Sequence, residues 1–297
     1  MNGCQQGFDS MDSFCFVGQV SASNPLLHIH AKRWQQAKIM RAITIILLLL
    51  NQTLIAQTIN RVEWFFPSSD ELHVENQIEK YNKYDFSKIW GKTENNRILG
   101  IIGNDHRRLK IKLINVVKND SNKNKYLVNG KSNMDGAIKD FSGTIELKII
   151  NELKEFRFGV DDEYADKGIK AQGVLIADYN FIEDSEQNES GKFKGKLFTK
   201  WFLNSDDKIE YDNIENFADG FINNAFIGFW EKHKSDIEII CNWGDYRVPV
   251  ANRDFDLGAG EFSPNEKYHD EGWANYHKAW FYNDEKAKKI ELKEWWK

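Results

Sequence analysis

From residue 97 to residue 203 the apolar positions tend to recur two apart. Leu109-Lys-Ile-Lys-Leu113 alternates without a break, which is the period of a strand with one buried and one wet face. Phe141-Ser-Gly-Thr-Ile-Glu-Leu-Lys-Ile-Ile150 follows the same rhythm. Phe193-Lys-Gly-Lys-Leu-Phe-Thr-Lys-Trp-Phe202 repeats its opening of an aromatic, one spacer and a glycine, and Phe226-Ile-Gly-Phe-Trp230 is a shorter third version. Glycine just inside a strand marks a bend or a close backbone approach. Repeated at strand starts, it is what a sheet curling on itself requires.

Further strands are expected at 98–102, 126–130, 157–160 and 169–181, and a last pair at 226–230 and 237–241 around Lys232-His-Lys-Ser235. Asn104-Asp105, the polar 119–124 loop, Asp135-Gly136 and the acidic 183–190 loop separate them. No helical period intervenes, so the fold class is all-β, an antiparallel meander closing into a lipocalin-like barrel over 97–242. A β-sandwich is the alternative. Short helices flank it. Pro67-Ser-Ser-Asp70 before Glu71 reads as the start of a helix running to about Tyr81, within a partly helical extension at 57–96. Residues 243–297 read as an irregular loop followed by a helical tail packed on the barrel. In the tail, Tyr276 and Trp280 share a helix face at 274–282, and Asn283-Asp284 caps a terminal helix at 285–294.

The beginning of the chain has a different texture. Met40-Arg-Ala-Ile-Thr-Ile-Ile-Leu-Leu-Leu-Leu50 followed by Ala56-Gln57 has the build of a secretory leader, with one basic residue, a short apolar run and a small residue before the cut. The run is too short to span a bilayer, which takes about 20 residues. The expectation is that 40–56 is a signal peptide, that 1–39 is not part of the mature protein, and that the product is exported to the periplasm, cell surface or medium. No transmembrane span is expected in the mature chain.

A net charge of −5 over 297 residues, with Lys and Arg scattered among the acids, argues against nucleic acid as a partner. The cysteines Cys4, Cys15 and Cys241 make neither a disulfide framework nor a metal pattern.

The Ala56-Gln57 ending resembles the leaders of exported proteins from bacteroidete bacteria. From Trp90 onward, Ile98-Leu-Gly-Ile-Ile-Gly103, Leu127-Val-Asn-Gly130, Phe141-Ser-Gly-Thr-Ile145 and Cys241-Asn-Trp-Gly-Asp-Tyr-Arg-Val-Pro249 are similar to secreted proteins of that group with a calycin-like or lipocalin-like barrel. The resemblance covers roughly the last two-thirds of the chain. It implies a fold and a compartment, and no activity.

Residues 243–264 are the main candidate for a functional surface, because glycine-broken loops on a rigid scaffold often carry binding groups. They bring Trp243, Asp245, Tyr246, Arg247, Asp254, Asp256 and Glu261 onto irregular backbone. The plainer alternative is that Arg247 pairs with one acid and the rest cap turns. Asn252, Asp254 and Asp256 fall at every second position, as in a calcium loop, but an EF-hand needs glycine sixth and glutamate twelfth, where this chain has Leu257 and Ser263. His269 and His277 are eight apart rather than the four a zinc-protease helix uses, so no metal is expected.

There is no Gly-x-Ser-x-Gly elbow. Cys241 would need a histidine, such as His233 or His277, and an electropositive setting to act as a nucleophile. With 45 Asp and Glu, any chosen carboxylate pair is arbitrary. A hydrolase therefore ranks last, and no catalytic residue and no cofactor is expected.

Two binding readings remain. The barrel could enclose a small apolar or amphipathic ligand among Leu109, Ile111, Leu113, Ile145, Leu147, Leu197 and Trp201, unless its own side chains fill it. Alternatively, the 243–264 loop could present itself to an envelope partner, a protein or a glycan.

Overall fold

A computed structural model describes residues 66–297. The apolar 40–50 run, the expected cut after Ala56 and the start of the 57–96 extension lie outside the described residues. The strands are β1 (Ile98–Ile102), β2 (Arg107–Lys118), β3 (Lys125–Met134), β4 (Ala137–Glu152), β5 (Ala171–Glu183), β6 (Gly191–Leu203), β7 (Ile209–Tyr211), β8 (Asn223–Lys232) and β9 (Glu238–Asp245). The first six pair in chain order, β6 continues to β8, β8 to β9, and β9 returns to β1, so eight antiparallel strands close a barrel. Short β7 adds to the end of β6. A sandwich is thereby excluded.

The alternation sets which side chains fill the inside. Leu109, Ile111 and Leu113 of β2 and Ile145 and Leu147 of β4 are buried together, as expected. A register shift between Leu113 and Asn115, and another between Leu147 and Ile149, moves the inward set from odd to even numbers, so Val116 and Ile150 also join the core. The recurring glycines make the curl possible. A Cβ on Gly143 would lie 2.0 Å from the Asn180 carbonyl oxygen, and one on Gly195 would lie 2.1 Å from that of Ile227. Gly195 faces Gly228 across the β6–β8 ladder, so neither strand carries a side chain where the backbones crowd.

The aromatic that opens each of the three motifs points inward. Phe141, Phe193 and Phe226 meet Tyr179, Phe181 and Trp243 in one continuous ring cluster. These rings and the inward aliphatic side chains form one core cluster inside the barrel.

One mouth is closed by α1 (Ile78–Tyr81) and a 3-10 turn at Ser87–Gly91. Tyr81 and Phe86 pack edge-on against Trp201, and Trp90 against Tyr126. At the other mouth the buried Glu183 carboxylate accepts from the Ser132 hydroxyl, the Gly191 amide and the Trp230 indole.

Three expectations need correction. The helix over 67–81 exists only as its last turn: Ser68 does donate to Glu71 as a cap, but His73 and Gln77 donate their amides to the Glu152 and Ile150 carbonyls of β4. The strand edge outcompetes the helix. Residues 157–160 are not a strand, because the Arg157 amide goes to the Gln172 side chain and its guanidinium bridges Glu71 and Glu215. β9 runs through Asp245, so Trp243 and Asp245 belong to the barrel rather than to the loop after it. Three-residue β7 was not anticipated.

The tail carries α2 (Ala274–Trp280) and α3 (Glu285–Glu291), the latter capped by Asp284, which accepts from the Lys286 and Ala287 amides. The tail packs on the outer face of β1, where Leu99 and Ile101 meet Val248, Phe255, Phe262 and Trp273. Among the described residues no helix is long and apolar enough to cross a membrane.

Candidate functional site

Outside the barrel, beside the plugged mouth, lies a cleft of about 960 Å3. Its walls come from four pieces of chain: residues 92–97 leading into β1, residues 213–221 between β7 and β8, residues 246–262 after β9, and the end of α2. The rings of Phe217, Trp280 and Phe281 stand exposed around it, Phe217 at 88%. Asn96, Asn213 and Asn216 supply amides, and Arg97, Asp219 and Glu261 supply charges.

Tyr246 is the best-fixed ring in the wall. Its backbone adopts φ 69, its amide donates to the Arg97 carbonyl at 2.7 Å, and the Arg97 guanidinium lies 5.1 Å from its ring centroid. Phe221 packs edge-on against the other side at 5.1 Å. A positive φ at a tyrosine is uncommon, and here the neighbours hold it.

Behind the cleft wall sits Asp245. Its Oδ2 accepts from Thr93 Oγ1 at 2.7 Å, Tyr211 OH at 2.9 Å and Asn224 Nδ2 at 2.7 Å. Asn224 also donates to the Ile89 carbonyl and accepts from Thr199, which in turn accepts from the Trp90 indole. Burial raises the Asp245 carboxyl to about 7, even though Thr93, Tyr211 and Asn224 all favour the charged form. The network ties the mouth plug to four strands, β6, β7, β8 and β9, and Thr93 and Tyr211 also line the cleft.

The residues singled out in the sequence separate into distinct roles. Trp243 and Trp201 are inside the barrel, in contact with other rings and out of reach of a surface ligand; their place in strands of alternating pattern dictates it. Asp245 is buried beneath the cleft. Tyr246 and Arg247 line it. Arg247, however, directs its donors inward: Nε bonds Asp256 Oδ2 at 2.9 Å, and the terminal nitrogens reach the Gly258, Ala259 and Gly260 carbonyls. Asp256 Oδ1 also accepts from the Gly258 and Ser263 amides. Arg247 and Asp256 therefore clamp the loop, as the plainer alternative supposed. Asp254 is exposed and bonded to Lys267 and Tyr268, and Asn252 caps Phe255. The three alternating residues thus serve separate partners.

His269 and His277 do meet, with ring centroids 4.7 Å apart and His277 buried. Among the described residues no group of three or more His, Cys, Asp or Glu is placed to share a metal. Cys241 faces the barrel interior, and burial pushes its thiol well above the ordinary range, the opposite of an activated nucleophile. His233 is held on the Glu183 carbonyl.

The sequence reading missed Phe217, Phe281, Thr93, Tyr211 and Asn224. Trp280 was legible only as the helix-face neighbour of Tyr276. Compared with protein-family models, with described proteins and with solved structures, the chain finds no match.

Proposed function

We propose that the protein is a binding module, delivered across the inner membrane, that holds a glycan in the cleft beside the plugged mouth. The observation that carries this reading is the exposure of Phe217, Trp280 and Phe281 around a concavity that also presents asparagine amides and carboxylates. Sugar rings offer apolar C–H faces and a rim of hydroxyls. Aromatic side chains take the first, and amides and carboxylates take the second. A purely apolar ligand would leave the asparagines and acids unpaired.

The alternative of a small apolar cargo inside the barrel finds its lining residues, Leu109, Ile111, Leu113, Ile145, Leu147, Leu197 and Trp201, packed in one core cluster. The external cleft is therefore the better seat. Export rests on the 40–56 segment, and amino-terminal sequencing of the purified product tests it, with a first residue near Gln57 expected. Binding is tested by titrating neutral and acidic oligosaccharides while following tryptophan emission. Trp280 at the cleft should respond, and a Trp280→Ala variant should not.

A further inference from the structure

A second, smaller cavity of about 310 Å3 lies on the far side of the 213–221 segment and is lined by Phe66, Glu71, Arg157, Lys200, Glu215 and Phe221. Lys200 alternates outward on β6, next to Thr199 and Trp201, where a lysine ordinarily reaches water. Here it is half-buried, with Nζ 5.5 Å and 4.4 Å from the ring centroids of Phe66 and Phe221. Among the described residues Nζ has no carboxylate within ion-pair distance. Arg157 takes that role for Glu71 and Glu215. The nearby Asp212 carboxylate accepts from the Gln172 amide and the Ile214 backbone instead.

We propose that Lys200 is a covalent capture site for a small neutral aldehyde or ketone, which its amine binds as an imine. The site offers what such chemistry needs: a primary amine on a rigid strand, an open cavity of a size for a few non-hydrogen atoms to enter, and two aromatic rings packed against the amine. Burial lowers the Lys200 ammonium to about 8, against the favourable charges of Asp212 and Glu215 and with a small contribution from Arg157. A lysine desolvated in this way is a usable nucleophile near neutral pH. The acids around the cavity, Glu71, Asp212, Glu215 and Asp219, disfavour an anionic carbonyl compound, hence the neutral class. In the reaction the Nζ lone pair adds to the carbonyl carbon and the carbonyl oxygen takes up a proton. The resulting carbinolamine loses its hydroxyl as water and its remaining N–H proton to solvent. No oxidant or reductant is consumed. The site is independent of the glycan reading.

The test is reductive alkylation of the full protein at pH 7 with propanal and cyanoborohydride, mapped by peptide mass spectrometry. At that pH the free-amine fraction of Lys200 should exceed that of an ordinary lysine by about two orders of magnitude. Lys200 should therefore be alkylated about tenfold faster, or more, than exposed lysines such as Lys208, with a rate that rises to a midpoint near 8. Lys200→Arg should remove the fast phase while the melting curve and the slow surface labelling remain. Should that variant fail to fold, the pH profile of the wild-type protein decides. Labelling of Lys200 no faster than of Lys208, or a midpoint above about 10, overturns the proposal.

Discussion

The rings of Phe226 and Trp243 stack 4.6 Å apart and within 12° of parallel in the middle of the barrel. They come from the paired strands β8 and β9, where the two residues stand directly opposite each other. Tyr179, Phe181 and Phe193 surround the pair. Truncating either ring empties a site that nothing else can occupy. Phe226→Ala or Trp243→Ala should each cost about 3–5 kcal/mol, read as a lower urea midpoint with an unchanged slope. A cost below about 1 kcal/mol, in the range of a conservative swap, would mean that the interior is loosely filled and could still admit a ligand.

The curl of the sheet makes its own prediction. Gly143→Ala forces a methyl group to within 2.0 Å of a neighbouring carbonyl oxygen, whereas a Cβ on Gly91 meets nothing within 4 Å. The first change should destabilise by about 1–3 kcal/mol or more, and Gly91→Ala should be neutral or slightly stabilising. Thermal melts of the two variants side by side decide this. Equal effects would count against close approach as the reason for the repeated glycine.

Asp245 should give stability a pH dependence of defined sign. Its folded carboxyl titrates near 7, raised by burial from an ordinary value near 3.8. Between those values the folded chain holds a proton that the unfolded chain has lost, so stability falls as pH rises from about 4 to 7 and then levels. The full span is on the order of 4 kcal/mol. In Asp245→Asn this contribution disappears. The stability difference between the variant and the wild-type protein, measured by urea titration at pH 4 and pH 8, should therefore change markedly. A constant difference would show that Asp245 is ionised throughout.

The tail is held to the barrel by a buried ion pair. Arg108 Nη1 and Nη2 donate to Glu291 Oε1 and Oε2 at 2.8 Å and 2.5 Å, with the guanidinium 4.9 Å from the Trp273 ring centroid. Glu291→Ala leaves a buried cation and should cost about 3–5 kcal/mol. Arg108→Met combined with Glu291→Leu should recover much of it, since a buried pair is often replaceable by apolar groups. Proteolysis near residues 283–292 should accelerate in the single variant only.

Much of the barrel was legible because closure imposes a period of two on every strand, and Leu109-Lys-Ile-Lys-Leu113 and the three aromatic-spacer-glycine openings display it directly. The chain ran less clearly where long-range partners overrode local preference. Ser68 and Glu71 form their cap, yet β4 claims the next amides. Trp243 looked like loop because Gly244 and Asp245 follow it, while β1 and β8 pair across both. Of the cleft, Tyr246, Arg247 and Glu261 were legible as members of the irregular stretch after β9. Phe217 lies between Asn216 and Ala218 in a stretch with no period, and its nearness to Trp280 and Phe281 arises only from folding. Lys200 shows the same limit, since alternation places it outside the barrel but cannot tell that the rings of Phe66 and Phe221 pack against it.

The most direct test of the glycan cleft is a glycan array probed with the wild-type protein and with a Phe217→Ala, Trp280→Ala double variant. Both residues are exposed, so the variant should melt as the wild-type protein does. The account predicts that the wild-type protein retains a defined set of glycans and that the variant loses them. Retention of no glycan by the wild-type protein, or equal retention by both, would contradict it.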